Sequence, residues 1–455
     1  MTTTAAAPAA PDSTAALRAP HPLRSELLRG SAPWTGTAVA VTLGISLAAK
    51  AAQWQGSWGE TQTLLHVVAS LLGGPLAAAA GCWQGGRERR RGTGELRATA
   101  VRGTLAQFLT AAVPTAVWIV AGYALVAAGA LAATWPYTSA GRPLLSWMLV
   151  DAVFLAAMTL LGHVVGRLVA WRAAAPALAV CCYPLLGVPS YGTGGARHLS
   201  PASASTMGEM LPVWWQPIAA IAWMGGLAAA AVLAYAGRHR STALLPLTAA
   251  AVAAAVVVQS GDGMWRDHPL SRKQVCDTAV RPHICVNALY AGLLSEVRSA
   301  LGGLHGRLAG VENLPVRFED LPADPGPGEA GLPMLTPLGW SVVRGKLTDP
   351  EQYAWEAAAA ITGSHDACDA RRSDERALRV DTAVTEWLAP GRARTEQDSL
   401  RWALERGDQA EAADISADRA ARDRLAAMPD DARRAWLSRY FATADNCDPK
   451  DVPAL

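Results

Sequence analysis

Seven long apolar runs constrain what this chain can fold into more than any other feature. A helix advances ~1.5 Å per residue, so about 20 mainly apolar residues are needed to cross a hydrocarbon core ~30 Å thick. Runs of this kind occupy Trp34–Ala52, Thr63–Trp83, Leu109–Ala133, Leu144–Gly166, Ala173–Val188, Trp215–Ala236 and Thr242–Gln259. The fifth has 16 residues and reads either as a re-entrant segment or as a helix continuing into the Pro- and Gly-rich stretch behind it. The expected fold class is an α-helical membrane protein: a bundle of about seven transmembrane helices with a C-terminal, mainly helical domain on the extracytoplasmic side.

Composition changes sharply near Gln259. The first 260 residues carry 16 Lys+Arg and 7 Asp+Glu, whereas the last 195 carry 24 and 31. The overall net charge of +2 therefore hides two halves of opposite sign and gives no reason to expect nucleic acid as a partner. Residues 1–20, rich in Ala, Thr and Pro, are expected to form a disordered cytoplasmic tail. No cleavable signal peptide is visible, and the first apolar run is expected to act as a signal anchor.

Basic residues beside spans are retained in the cytoplasm. With the N-terminus inside, thirteen arginines fall on inner segments, among them Arg24, Arg29, Arg87, Arg89, Arg90 and Arg91, against Lys50, Arg142 and Arg197 outside. Indole rings favour the headgroup level, and Trp54, Trp58, Trp135, Trp147, Trp214 and Trp215 mark an outer edge, with Trp34, Trp83 and Trp171 at an inner one. An odd number of spans then places residues 261–455 outside the cell membrane.

Disulfides persist in oxidising compartments. Four cysteines fall in the outer domain, and two bridges are expected, Cys276 with Cys285 and Cys368 with Cys447, chosen from three possible pairings. Cys82, Cys181 and Cys182 lie in spans and read as reduced packing residues. The grouping of His268, Cys276, His283 and Cys285 matches no zinc-finger spacing, so a disulfide is preferred and no metal is assigned. His365, Asp366, Cys368 and Asp369 form a polar cluster, but there is no His-Glu-x-x-His helix and no Gly-x-Ser-x-Gly elbow. A phosphate-binding Gly-x-x-x-x-Gly-Lys-Ser/Thr loop is also missing, since Gly345-Lys346 continues into Leu347. No catalytic residue and no cofactor is expected.

Asp151, about two turns into the fourth span, is the clearest intramembrane acid. An ionised carboxylate there costs at least ~2.5 kcal/mol, so it should face protein or water, either on a substrate path or in a helix-to-helix hydrogen bond. His163 reads as interfacial. The Gly and Ser content of the segment Pro189–Pro212 favours a flexible connector, against the short re-entrant helices that the family resemblance described below implies there.

The inner segment Gln84–Gln107 reads QGGRERRRGTGELRATAVRGTLAQ. Gly92 breaks the basic run, Thr93 is a helix cap, and Glu95 lies where a carboxylate favours the helix dipole. Upstream, HPLRSELLRGSAPW is an amphipathic stretch leading into the first span, with Leu23, Leu27 and Leu28 toward lipid and Arg24 and Arg29 toward phosphates. These two segments resemble the elbow helix and the first inner loop of the permease subunits of type 2 ABC exporters. The resemblance implies a permease-like domain over residues 21–240, with 241–260 as an additional transmembrane helix. It implies that Glu88, Gly92, Thr93, Glu95 and Leu96 form a coupling helix docking into a cytoplasmic ABC ATPase subunit, and that a second permease subunit, identical or not, completes the assembly. Members of that family usually end after six spans, and this chain adds a seventh and a domain. The alternative for the loop is a plain positive-inside anchor, and for the protein a membrane-anchored binding or sensory domain.

In the last 195 residues, Val286, Leu289, Tyr290, Leu293, Leu294, Val297 and Leu301 recur at helical spacing and predict a helix beginning at Cys285. Short strands are expected at Val316–Phe318 and Ser341–Val343. After Asp349, an N-cap before Pro350, about four helices are expected to run to Cys447.

Overall fold

The structure, a computed structural model, describes residues 22–92, 102–203, 209–335, 342–362, 371, 373–390, 393–443 and 447–455. Its first half is a bundle of apolar helices. The short α1 (Pro22–Arg29) leads into α2 (Ala32–Ala49), α3 (Trp58–Arg91) and α4 (Thr104–Thr134). Next come α5 (Leu145–Leu168), α6 (Ala174–Ser190), α7 (Gln216–Ala236) and α8 (Arg240–Met264). Six of these are long and apolar enough to cross a membrane. The fifth apolar run forms α6, a helix of 17 residues that continues through Pro184 and Pro189 and is shorter than the other six.

Local chemistry explains where the helices depart from the apolar runs. α3 starts before Thr63 because Ser57 and Glu60 stand three apart, and the Ser57 hydroxyl accepts from the Glu60 amide at 3.2 Å. Midway along α3, residues Ala69–Gly73 form a π turn just before Gly74-Pro75. Pro75 has no N–H to close a regular α turn, and the wider turn absorbs that loss.

The tightest packing in the bundle joins α3 to α5, which run in the same direction. Each carries glycines four apart, Gly81 and Gly85 in one and Gly162 and Gly166 in the other. A Cβ on Gly81 would lie 2.0 Å from the Thr159 carbonyl oxygen, and one on Gly166 would lie 2.1 Å from that of Cys82. Only glycine lets two backbones approach this closely, which is how small residues at spacing four drive helix association where lipid removes the hydrophobic incentive.

Strand β1 (Met210–Pro212) pairs antiparallel with β2 (Trp265–Asp267), tying the segment before α7 to the end of α8. A four-stranded sheet follows, ordered β3 (Gln274–Asp277), β4 (His283–Asn287), β5 (Arg317–Glu319) and β6 (Glu329–Gly331). The first pair is antiparallel and the other two are parallel. Ile284, Val286, Phe318 and Ala330 project from it into a core shared with α9 (Leu294–Ala300) and α10 (Gly302–Leu308). Among the described residues a small hairpin, Val342–Val343 with Lys346–Leu347, precedes five helices of more than one turn. These are α11 (Pro350–Ile361), α12 (Glu375–Leu388), α13 (Ala393–Arg406), α14 (Gln409–Ala427) and α15 (Asp430–Phe441). Asp349 caps α11, its carboxylate accepting from the Gln352 amide at 2.9 Å.

The helix expected from Cys285 begins instead as a strand. Cys285 and Val286 belong to the central β4, buried on both sides, and helix follows only after Asn287 turns the chain. The apolar stripe is nonetheless core, with Leu293, Val297 and Leu301 fully buried. This second half sits on the end of the bundle where α3 begins. Arg344 bonds Gln55 there through both its backbone amide (3.1 Å) and its Nε (2.6 Å).

Candidate functional site

The bundle interior holds a line of polar groups on three helices. Near the Trp58 end of α3, the Thr61 and Thr134 hydroxyls are 2.7 Å apart, and Gln62 Oε1 accepts from the Leu144 amide at 2.9 Å. One turn further along, His66 Nδ1 lies 2.5 Å from Asp151 Oδ1, and the Tyr123 hydroxyl donates to Asp151 Oδ2 at 2.8 Å. All three residues are at most 3% exposed. Asp151 thus joins α5 to both α3 and α4, and each of its oxygens has a partner, as a carboxylate held away from water requires. The close α3–α5 packing is what brings His66 within reach.

One face of this cluster borders a cavity of about 50 Å³. Trp147 stands edge-on to the His66 ring, 4.8 Å between centroids, and stacks on Trp265 at 5.6 Å. Across from them α7 contributes Gln216, Trp223 and Met224. Two of the lining residues carry a buried polar atom without a hydrogen-bond partner among the described residues, Trp147 Nε1 and Gln216 Oε1. One is a donor and the other an acceptor.

The segment after α6 closes the cavity. Gly195–Leu199 forms a short 3-10 turn, and Gly195 sits directly on α8, where a Cβ would lie 1.9 Å from the Val258 carbonyl oxygen. Ser200 donates to the Leu186 carbonyl at 2.5 Å, Trp223 Nε1 donates to the Leu199 carbonyl at 3.0 Å, and Ser70, in the π turn of α3, donates to the Pro201 carbonyl at 2.9 Å. Residues 195–201 are therefore bound to four helices, which corrects the expectation of a flexible connector. Gly195 marks close packing here, and Gly194 before it turns the chain with φ 89°. Beyond this segment lies a larger apolar groove of about 470 Å³ between α5, α6 and α7, which shares Leu199, Ser200, Pro201, Trp223 and Met224 with the cavity.

At the other end of α3, Glu88 pairs with both terminal nitrogens of Arg167 in α5. Gly92 ends the helix in the left-handed conformation, φ 66°. Thr93, Glu95 and Leu96 lie outside the described residues. In α1, Leu28 is exposed, Glu26 pairs with Arg87, and the Leu27 carbonyl accepts from Trp118 Nε1 at 2.9 Å. His163 is 1% exposed and edge-on to Phe108, so it belongs to the helix packing and not to an interface.

In the second half, Cys276 and Cys285 are directly opposed on β3 and β4 and joined by a disulfide. Cys447 is also disulfide-bonded, while Cys368, His365, Asp366 and Asp369 lie outside the described residues. Cys82, Cys181 and Cys182 are free thiols. Among the described residues, no group of three or more His, Cys, Asp or Glu side chains is placed to hold a metal ion.

Sequence reasoning found Asp151, passed over His66, Tyr123 and Gln216, and read Trp147 as a headgroup-level residue, whereas it is buried between His66 and Trp265. A histidine in the middle of an apolar run was the available signal for His66. Tyr123 and Gln216 carry no such mark, because their roles depend on which helices meet. No protein-family model matches the chain, and no curated protein or solved structure matches it either.

Proposed function

We propose that the chain is a transport subunit, a permease of the type 2 ABC exporter kind, driven by a separate cytoplasmic ATPase and paired with a second permease subunit. The observation that carries this reading is a rigid α3–α5 unit joining two functional ends. Glu88 and Arg167 clamp the two helices at the arginine-rich end, and the four glycines lock their middles. His66 and Asp151 join them at the cavity. A displacement applied to the segment after Gly92 then moves the cavity wall as one body, because close-packed backbones do not slide past each other gradually.

In this reading the N-terminus and the Arg87–Arg91 run are cytoplasmic, and the domain from Trp265 onward is extracytoplasmic. The arginine bias supports that orientation. The disulfide on Cys276 and Cys285 fits an oxidising compartment. Chemistry on ATP belongs to the partner, since the chain has no phosphate-binding loop.

The test is copurification of an ATPase with the full chain from detergent, comparing the parent with a Glu95→Ala/Leu96→Ala variant that keeps every arginine. Loss of the ATPase with normal membrane insertion is the expected result. Equal recovery from both would leave the loop as an anchor and remove the transport reading. A reporter fused after Leu455 checks the orientation and should behave as extracytoplasmic.

A further inference from the structure

We propose that the cavity and the adjoining groove form one binding site for an amphipathic lipid with a small, neutral, hydroxyl- or amide-bearing head and a hydrocarbon tail. The proposal deepens the transport reading and rests on it for the consequence that this lipid is cargo.

Three features define the ligand. The groove is walled by Met158, Leu161, Leu185, Leu186, Met224 and Leu227, a surface suited to an alkyl chain and to little else. It lies on α5 and α7, both of membrane-spanning length, and on the shorter α6, and it shares a wall with the cavity, so an alkyl chain lying between α6 and α7 ends beside the polar groups. That end is lined by Trp147 and Gln216, both more than nine-tenths buried, and Trp147 Nε1 and Gln216 Oε1 have no hydrogen-bond partner among the described residues. A hydroxyl or a primary amide carries both an acceptor and a donor, the two partners these atoms lack, and satisfying a buried orphan returns its desolvation cost.

Charge and size narrow the head further. Among the described residues the cavity wall includes Asp151, His66 and His198 and no Lys or Arg, so it holds no permanent positive charge to neutralise a phosphate or carboxylate. Asp151 is already engaged by His66 and Tyr123, which leaves it poorly placed to hold a cation. About 50 Å³ accommodates a group of a few heavy atoms and not a phosphodiester headgroup. Monoacylglycerols and long-chain alcohols or amides meet all of these conditions.

The probe is a monoacylglycerol with a diazirine in its acyl chain, added to the full chain in nanodiscs, with labelled peptides identified by mass spectrometry. Labelling should concentrate within residues 158–165, 185–189 and 223–227. Unlabelled monoacylglycerol should compete, and phosphatidylglycerol at the same mole fraction should not. Trp147→Phe and Gln216→Leu, each preserving bulk, should each reduce labelling about fivefold, the loss expected for one hydrogen bond. Equal competition by both lipids, or labelling unchanged in both variants, would show ordinary annular lipid and overturn the proposal. So would photocrosslinks from a benzophenone at position 185 that join two copies of the chain, since a second protomer would then fill the groove. ATPase copurification separates the two readings. Unselective labelling with the ATPase retained removes the lipid assignment alone, whereas selective labelling with no ATPase partner keeps the site and removes the transport role.

Discussion

Gly162 of α5 lies against the backbone of Ala78 in α3, so closely that a Cβ built on it would be 2.0 Å from the Ala78 carbonyl oxygen. The position of His66 relative to Asp151 depends on this approach, because the same two helices carry both. Gly162→Leu must push α5 away from α3 and break the 2.5 Å contact. The expected outcome is loss of a monodisperse peak in size-exclusion chromatography or a large fall in thermal stability. Gly44→Leu is the control, since nothing lies within 4 Å of a Cβ there. Equal behaviour of the two variants would mean that the glycine pairing does not organise the bundle.

Asp151 should matter more to stability than either of its partners. Tyr123→Phe removes one hydrogen bond and is expected to cost about 1 kcal/mol, the usual scale for a bond between membrane helices. Asp151→Leu strands both His66 and Tyr123 and should cost about 2–3 kcal/mol, because two buried polar groups lose their partner. Thermal unfolding in one detergent ranks the variants. A larger loss from Tyr123→Phe than from Asp151→Leu would contradict the hydrogen-bond arrangement.

These cases show what a single sequence makes legible. Each apolar run became a helix, because within a bilayer the backbone has few other ways to satisfy itself. Boundaries shifted where side chains intervened, as Ser57 and Glu60 start α3 early and Pro184 does not stop α6. The short strand at Arg317–Glu319 lies one residue from its expected place, whereas β4 was hidden because Val286 fits a helical stripe as well as a strand. The site was legible only in part. Asp151 announces itself by charge, but its partners are set by helix pairing, and the glycines that fix this pairing are spread between two segments some eighty residues apart.

The second half has its own buried charge. Arg371 is fully buried, with Nε and Nη2 donating to the two Asp381 oxygens at 3.1 and 2.7 Å, and Nη1 donating to the Thr443 carbonyl at 2.8 Å. Tyr440 completes the group, its hydroxyl donating to Asp381 Oδ1 at 2.6 Å. Removing one member of such a pair leaves an uncompensated charge, so Arg371→Leu is expected to destabilise by about 3–5 kcal/mol. The double variant Arg371→Leu/Asp381→Leu should cost less than the sum of the two singles. Additive losses in denaturant unfolding would argue against direct coupling.

The last prediction concerns pH. Asp320 follows β5, and its Oδ2 accepts from the Asn287 amide at 3.1 Å. Burial raises its carboxyl to about 6, with the negative charge of Glu209 adding to the shift and the Asn287 amide opposing it. The unfolded chain releases this proton near the ordinary Asp value, about 3.9. Between those limits the native state therefore binds more protons than the unfolded state, and stability contributed by this group falls as pH rises through that window. Above pH 6 the folded protein carries a half-buried negative charge that the unfolded chain keeps in water. Asp320→Asn removes the charge, while the side-chain oxygen still accepts from Asn287. The variant should melt higher than the parent at pH 7.5, by about 2–4 °C if the gain is ~1 kcal/mol in a domain of this size. The gap should close as pH is lowered toward 4.5. A variant that melts lower than the parent at pH 7.5, or a gap that is constant across this range, would show that Asp320 is not held protonated by its surroundings.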